Sequence, residues 1–417
     1  MIGVKPVIRI AAKSLCGVLL FMQVERAPAQ MLAASTSSAI TIQHAGTVDR
    51  ILWAAWELGE KKLSTVYQSG NRLIFESPAG THTVNAPGTL MACSAGPGRL
   101  LFAIISQPPP SKDHNESLLL QIYDRSGSLV FDESLQWGVD APVPTVALDE
   151  VNHRAIIADP ANSELVILEL TVGKKAQTMT LFEGARYSLE KSMLVRVCHD
   201  GSLVVAAMRE DALPQYGISQ QRNLGLVALA SDGRELWRHE LAGPSLHALA
   251  VSPNGEMLAI ASYDGFVTTG SATTTKVFSR RGIELLQAKM LFHHAVWDDD
   301  SNAVVLAGRQ VARRYDLQNG EIQFEFKLQE RNSIIVAAEF LSAFARIMLL
   351  TARPVLAGDG FRMQEGRLIV LDREGEILDQ RELPDGTLIE PFVTLLDNDE
   401  LLAYHYREAT VVMSREN

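Results

Sequence analysis

Seven times along this 417-residue chain, a strand-like run breaks at a glycine and an apolar residue follows two to four places later. The breaks fall at Gly80 (ESPAGTHTV), Gly127 (YDRSGSLVF), Gly173 (LTVGKKAQTM), Gly233 (ASDGRELW), Gly282 (FSRRGIELL), Gly320 (DLQNGEIQF) and Gly375 (DREGEILD). Intervals of 47, 46, 60, 49, 38 and 55 residues separate them. Few architectures repeat at that length. Solenoids of paired helices do, but here the runs are rich in Val, Ile and Leu and alternate with a period of two, which is strand patterning.

The clearest unit, 224–262, reads as four consecutive strands: GLVALA, RELWRHEL, LHALAVS and EMLAIAS. Two of its turns carry Asp232-Gly233 and Asn254-Gly255, dipeptides that accept positive φ in tight hairpins. Four strands per repeat of this length imply an all-β chain folded as a single β-propeller with four-stranded blades. The C-terminal stretch offers only three strands (IEPFVTLL, ELLAYHY, ATVVMS), and Ala39 to His44 (AITIQH) supplies a fourth from the other terminus. Pairing them closes the ring and hides an edge that would invite aggregation. The count is eight blades on this reading. It is seven if 49–69 is irregular and the N-terminal strands belong to the closing blade.

The unequal intervals localise the extra residues. They fall mostly between second and third strands, at 106–117 (SQPPPSKDHNES), 209–223 (REDALPQYGISQQRN), 262–275 (SYDGFVTTGSATTT) and 353–366 (RPVLAGDGFRMQEG). In an up-and-down blade that connection emerges at the same end of the ring as the links between blades. The insertions therefore crowd one face, where binding residues concentrate on a rigid scaffold. The polar candidates on that face are Asp113 and His114 from the first insertion, and Arg209, Tyr216 and Arg222 from the second. Tyr263 and Asp264 come from the third, and Arg353, Asp359 and Arg362 from the fourth. Arginine among them is suited to clamp an anion.

The N-terminus reads as a secretory signal over residues 1–29. Lys5, Arg9 and Lys13 precede the apolar run LCGVLLFM, and Ala27-Pro28-Ala29 offers small residues for cleavage. That run is too short to span a bilayer, which needs about 20 residues. A leader over 30–38 and the propeller over 39–417 follow. Outside residues 1–29 the chain keeps 34 basic against 48 acidic side chains, which argues against nucleic acid and anionic membrane as partners. Cys16 belongs to the signal. Cys93 and Cys198 fall in different repeats, too far apart to join, and are expected as two buried thiols.

Two stretches carry resemblances. LVALASDGRELWRHEL resembles the repeat of pyrroloquinoline-quinone-type propellers, in which a tryptophan docks one blade against its neighbour; Asp232, Gly233 and Trp237 stand near those places. In the other units Phe131, Leu286, Phe324 and Asp379 stand near the tryptophan's place. LAVSPNGEMLAIASYDG resembles the hairpin of WD-type and TolB-type propellers. These resemblances imply a fold and leave the activity open.

No nucleophile elbow, phosphate loop or zinc-protease motif occurs. His293-His294 with Asp298-Asp299-Asp300 is the densest set of potential ligands. Adjacent strand residues point to opposite faces, and the Asp run reads as a hairpin turn, so neither a metal nor a cofactor is implied. The expectation is a periplasmic or secreted binding scaffold engaging a protein, peptide or envelope glycan through the loop-rich face. The alternative is a propeller enzyme, such as a lyase, lactonase or quinoprotein-like oxidoreductase, with its site at the channel mouth.

Overall fold

The computed structural model describes residues 39–57, 62–109, 117–137, 144–159, 164–171, 174–181, 193–198, 200–210, 222–242, 245–263, 273–357, 360–397 and 400–414. Almost all of them lie in antiparallel strands or the turns between strands. Among the described residues, six separate four-stranded sheets form, plus an eight-stranded sheet made of two four-stranded units whose ladders join at the pair Met363 and Leu388. Numbered along the chain, blades 1 to 7 span 50–85, 89–136, 145–180, 193–242, 245–288, 294–327 and 334–382. Blade 8 combines Leu388–Leu396, Leu401–Tyr406 and Ala409–Ser414 with the N-terminal strand Ile40–Gln43. The stretch 49–69 supplies the regular strands Arg50–Glu57 and Lys62–Ser69, which settles the count at eight.

The core sits between blades. Among the described residues eight apolar clusters occur, and each joins two neighbouring blades, so that all eight seams of a closed ring are filled. Within one strand, successive residues serve alternate seams. Ala155 and Ile157 pack against blade 2, while Ile156 and Ala158 pack against blade 4. Both faces of a middle strand are thus buried, which is why Arg154–Asp159 and Ala303–Ala307 are nearly continuous apolar runs.

The glycine of the repeat signature occupies the turn into the outer strand. Six of the seven have positive φ, and Gly173 lies outside the described residues. Several pack against the preceding blade. A Cβ on Gly282 would lie 2.8 Å from Trp237 Cγ, one on Gly375 2.6 Å from Phe324 Cγ and one on Gly233 3.0 Å from Gln177 Oε1, whereas one on Gly320 would meet Leu286 at an ordinary 3.9 Å. Trp237 Nε1–H donates to the Arg280 carbonyl at 2.7 Å, and the ring stacks on Phe278. Tryptophan docking is therefore present once, and Leu286 and Phe324 hold the equivalent place in their own blades.

The ring closes by pairing. Ile40–Gln43 lies antiparallel to Ala409–Ser414, with Ile40 opposite Val412 and Gln43 opposite Ala409. A hydrogen-bonded chain crosses this seam: Thr394 to His405 Nε2 (2.8 Å), His405 Nδ1 to Thr410 (3.1 Å), Thr410 to His44 Nε2 (2.9 Å) and His44 Nδ1 to Glu76 (3.3 Å). The geometry lets each hydroxyl and ring N–H in that chain donate in one direction, ending on the Glu76 carboxylate. Tyr67 and Thr65 hydroxyls and the Ala45 N–H also donate to Glu76. Burial opposes the Glu76 charge, but these donors together hold its carboxyl below the usual range. Burial of His405, with His44 nearby, pushes its imidazole down to about 3.

Candidate binding site

Each blade runs up, down, up and down from the axis outward. The connection between second and third strands and the link to the next blade therefore share one end of the ring, here called the link face. The remaining hairpins share the other end.

Inner strands enclose a cavity of about 920 Å³ lined by residues of seven blades. Arg50, Arg99 and Arg196, from blades 1, 2 and 4, line it together with Glu339 and Glu390, from blades 7 and 8. Arg99 donates to the Leu52 carbonyl at 3.3 Å and Arg196 to the Val195 carbonyl at 3.0 Å. Loss of water around both guanidiniums lowers their pKa values, with Glu150 partly countering this at Arg99. A channel lined by charges of both signs suits a polar or zwitterionic group. Among the described residues no set of three His, Cys, Asp or Glu side chains converges as a metal site. Asp298 instead pairs with Arg314 at 3.4 Å and accepts the Ala303 N–H, as a turn residue does. Cys93 and Cys198 are free, and the Cys93 thiol donates to Gln68 at 3.1 Å.

At the link face His247 and His293 meet edge-on with ring centroids 4.7 Å apart, and Tyr263 lies edge-on to His247 at 6.3 Å. Burial, with His247, His294 and Arg309 nearby, holds the His293 imidazole down at about 4. Beside this cluster a second cavity of about 640 Å³ is lined by Arg309, Gln310, Arg331, Asn332, Ile334, Arg353 and Pro354.

Of the candidate residues read from sequence, Asp113, His114, Tyr216, Asp264 and Asp359 lie outside the described residues. Arg209 and Arg222 fall on adjacent strands of blade 4, opposite Asn223 and Glu210 respectively. Tyr263 joins the histidine pair, Arg353 lines the second cavity, and Arg362 is exposed opposite Val355. The stretch 353–366, read from sequence as a loop, is a hairpin extending the twelve-residue strands Arg346–Ala357 and Gly360–Leu371. Leu356 pairs with Phe361 across it, and the two are 72% and 70% exposed. Pro354 and Met363 lie on the same side of the pleat, giving the hairpin an apolar face rooted by Met363 against the core of blades 7 and 8.

Arg309 and Arg331 escaped the sequence reading because they sit in a short turn and an inter-blade link. Length of insertion, the signal used to find the face, does not mark them. Leu356 and Phe361 were detectable by alternation on either side of Gly358–Gly360, which marks a strand hairpin rather than a loop.

No known protein family's sequence model matches the chain, and no curated protein matches it in sequence. Solved structures do. BamB from Moraxella catarrhalis is similar with a TM-score of 0.55 at 12% identity, covering 90% of this chain and 100% of that one. The Dos1 propeller gives 0.56 at 12% identity, covering 90% and 96%, and the C-terminal WD40 domain of Sif2 gives 0.50 at 12%, covering 90% and 98%. At that identity the likeness shows the fold alone, which is a β-propeller.

Proposed function

We propose that the protein is an exported propeller scaffold that binds a protein or peptide partner of the cell envelope through its link face. The blade 7 hairpin carries this reading. An aromatic and an aliphatic side chain stand paired and exposed at the end of a rigid two-stranded arm, and such pairs anchor protein interfaces. Support for export comes from the basic-then-apolar N-terminus, and residues 1–29 would be removed in the mature chain. Among the described residues no helix is long and apolar enough to cross a membrane.

Partner retention tests the proposal. The double variant Leu356→Ser/Phe361→Ser is expected to weaken binding of a co-purified partner by about a hundredfold, since two exposed anchors contribute roughly 1–2 kcal/mol each. Val151→Ser, on a hairpin at the other end of the ring and 64% exposed, is expected to leave binding unchanged. Equal binding by both variants would reject the hairpin as the docking element.

A further inference from the structure

Although the chain carries an excess of acidic residues, two arginines beside the hairpin have no acidic partner among the described residues. Among the described residues, Arg353 pairs with Glu365, and Arg367 takes up Glu330 and Glu382. Arg309 and Arg331 have no acidic side chain in ion-pair range among those same residues. Both are exposed, and both open into the 640 Å³ cavity together with Arg353. Arg309 also lies close enough to His293 to disfavour its protonation.

The segments that present them are tied together. Arg309 and Gln310 form the turn between second and third strands of blade 6, and Arg331 lies in the link to blade 7. Ile335 N–H donates to the Arg309 carbonyl at 2.7 Å, Leu328 N–H to the Gln310 carbonyl at 3.0 Å, and Gln310 Nε2 to the Arg331 carbonyl at 2.8 Å. Backbone positions of the two guanidiniums are thus set before any ligand arrives, which lowers the entropy lost on binding.

The neighbourhood also fixes what fits. Residues Arg353 and Pro354 belong both to the cavity wall and to the base of the hairpin. Beyond Ala352, the first hairpin strand has lost its partner strand Ile334–Leu341 and keeps only the second hairpin strand, so its other edge is open. Leu356 lies three residues along that edge, about 10 Å from Arg353 at strand rise. A ligand reaching both features is extended, with carboxylates at one end and an apolar side chain a few residues away.

We propose that the Arg309–Arg331–Arg353 cavity is an anion subsite that receives an acidic segment of the partner peptide, its carboxylates held by guanidinium pairs while the adjoining apolar residues meet Leu356 and Phe361. This rests on the link-face binding reading above and names the chemistry of its ligand. Arg309 and Arg331 supply the attraction. Arg353 shares its charge with Glu365 and positions the strand edge.

Fluorescent hexaglutamate, titrated onto the full mature chain, tests the subsite without needing the natural partner. Binding is expected in low salt, with a loss of about tenfold in Arg309→Ala/Arg331→Ala, because surface guanidinium–carboxylate pairs are individually modest. The hairpin variant Leu356→Ser/Phe361→Ser should bind hexaglutamate as the wild type does. Only side chains change in the arginine variant, since both residues contribute backbone carbonyls to the ties, and an unchanged melting temperature checks that it folds. No binding by the wild type, or equal binding by the arginine variant, overturns the subsite. Displacement of the peptide by an equal concentration of inorganic phosphate overturns the assignment to acidic peptide. A scaffold that binds elsewhere would show itself differently, by a natural partner retained by the hairpin variant whatever hexaglutamate does.

Discussion

Deleting residues 39–44 is expected to cost on the order of 5 kcal/mol, a large share of what holds a typical domain together. The deletion removes the strand that pairs with the outer edge of Ala409–Ser414, leaving blade 8 with three strands. It also removes His44, which leaves Glu76 without an imidazole partner and Thr410 with His405 alone, at positions where water cannot replace it fully. Calorimetry should show a melting temperature lowered by several degrees or more, and size-exclusion chromatography should show association through the bared edge. An unchanged melting temperature would mean that the seam is held by its apolar contacts alone. The same seam sets an acid limit. A histidine in the unfolded chain takes up its proton near pH 6.5, whereas His405 in the folded ring does so only near 3. Its contribution is fully present above the higher value and falls away as pH drops between the two. Lowering the pH from 7 to 5 should therefore cost about 2 kcal/mol from this residue, and His405→Gln should flatten that part of the profile.

Gly282→Val is expected to destabilise the ring by about 3 kcal/mol. Two causes add: the backbone there has φ +79°, and the new side chain would strike the Trp237 ring that caps the turn. Comparing Gly282→Asn with Gly70→Asn separates the causes. Gly70 has φ +57°, a conformation asparagine tolerates, and nothing within 4 Å of the new Cβ. That variant should lie within about 0.5 kcal/mol of the wild type by denaturant midpoint. Equal losses at the two sites would show that backbone conformation, and not docking between blades, explains the repeat glycine.

That comparison bears on what the amino-acid order revealed. Turn glycines, the strand before the first blade and the three-stranded tail were all legible, because backbone conformation and strand alternation are local properties. The docking partner of each glycine was not. Trp237 was recognisable by its identity, but Gln177 does the same job at Gly233, and nothing in a single blade distinguishes it from a solvated glutamine. Middle strands such as Ala303–Ala307 show why alternation was only part of the signal, since both of their faces are buried. The link face followed from topology alone, whereas its charge did not. Arg309 and Arg331 lie 22 residues apart and meet only because a turn and a link are bonded to each other.

Site-specific photo-crosslinking tests the central claim most directly. Benzoylphenylalanine would replace Phe361 at the link face or Val151 at the opposite end, in the full chain expressed in its native cells. A discrete protein adduct at position 361, with none at 151, is the result expected of a link-face scaffold. An adduct only at 151, or none at either position together with a stoichiometric small molecule retained in the channel by native mass spectrometry, would contradict it and move the function into the ring.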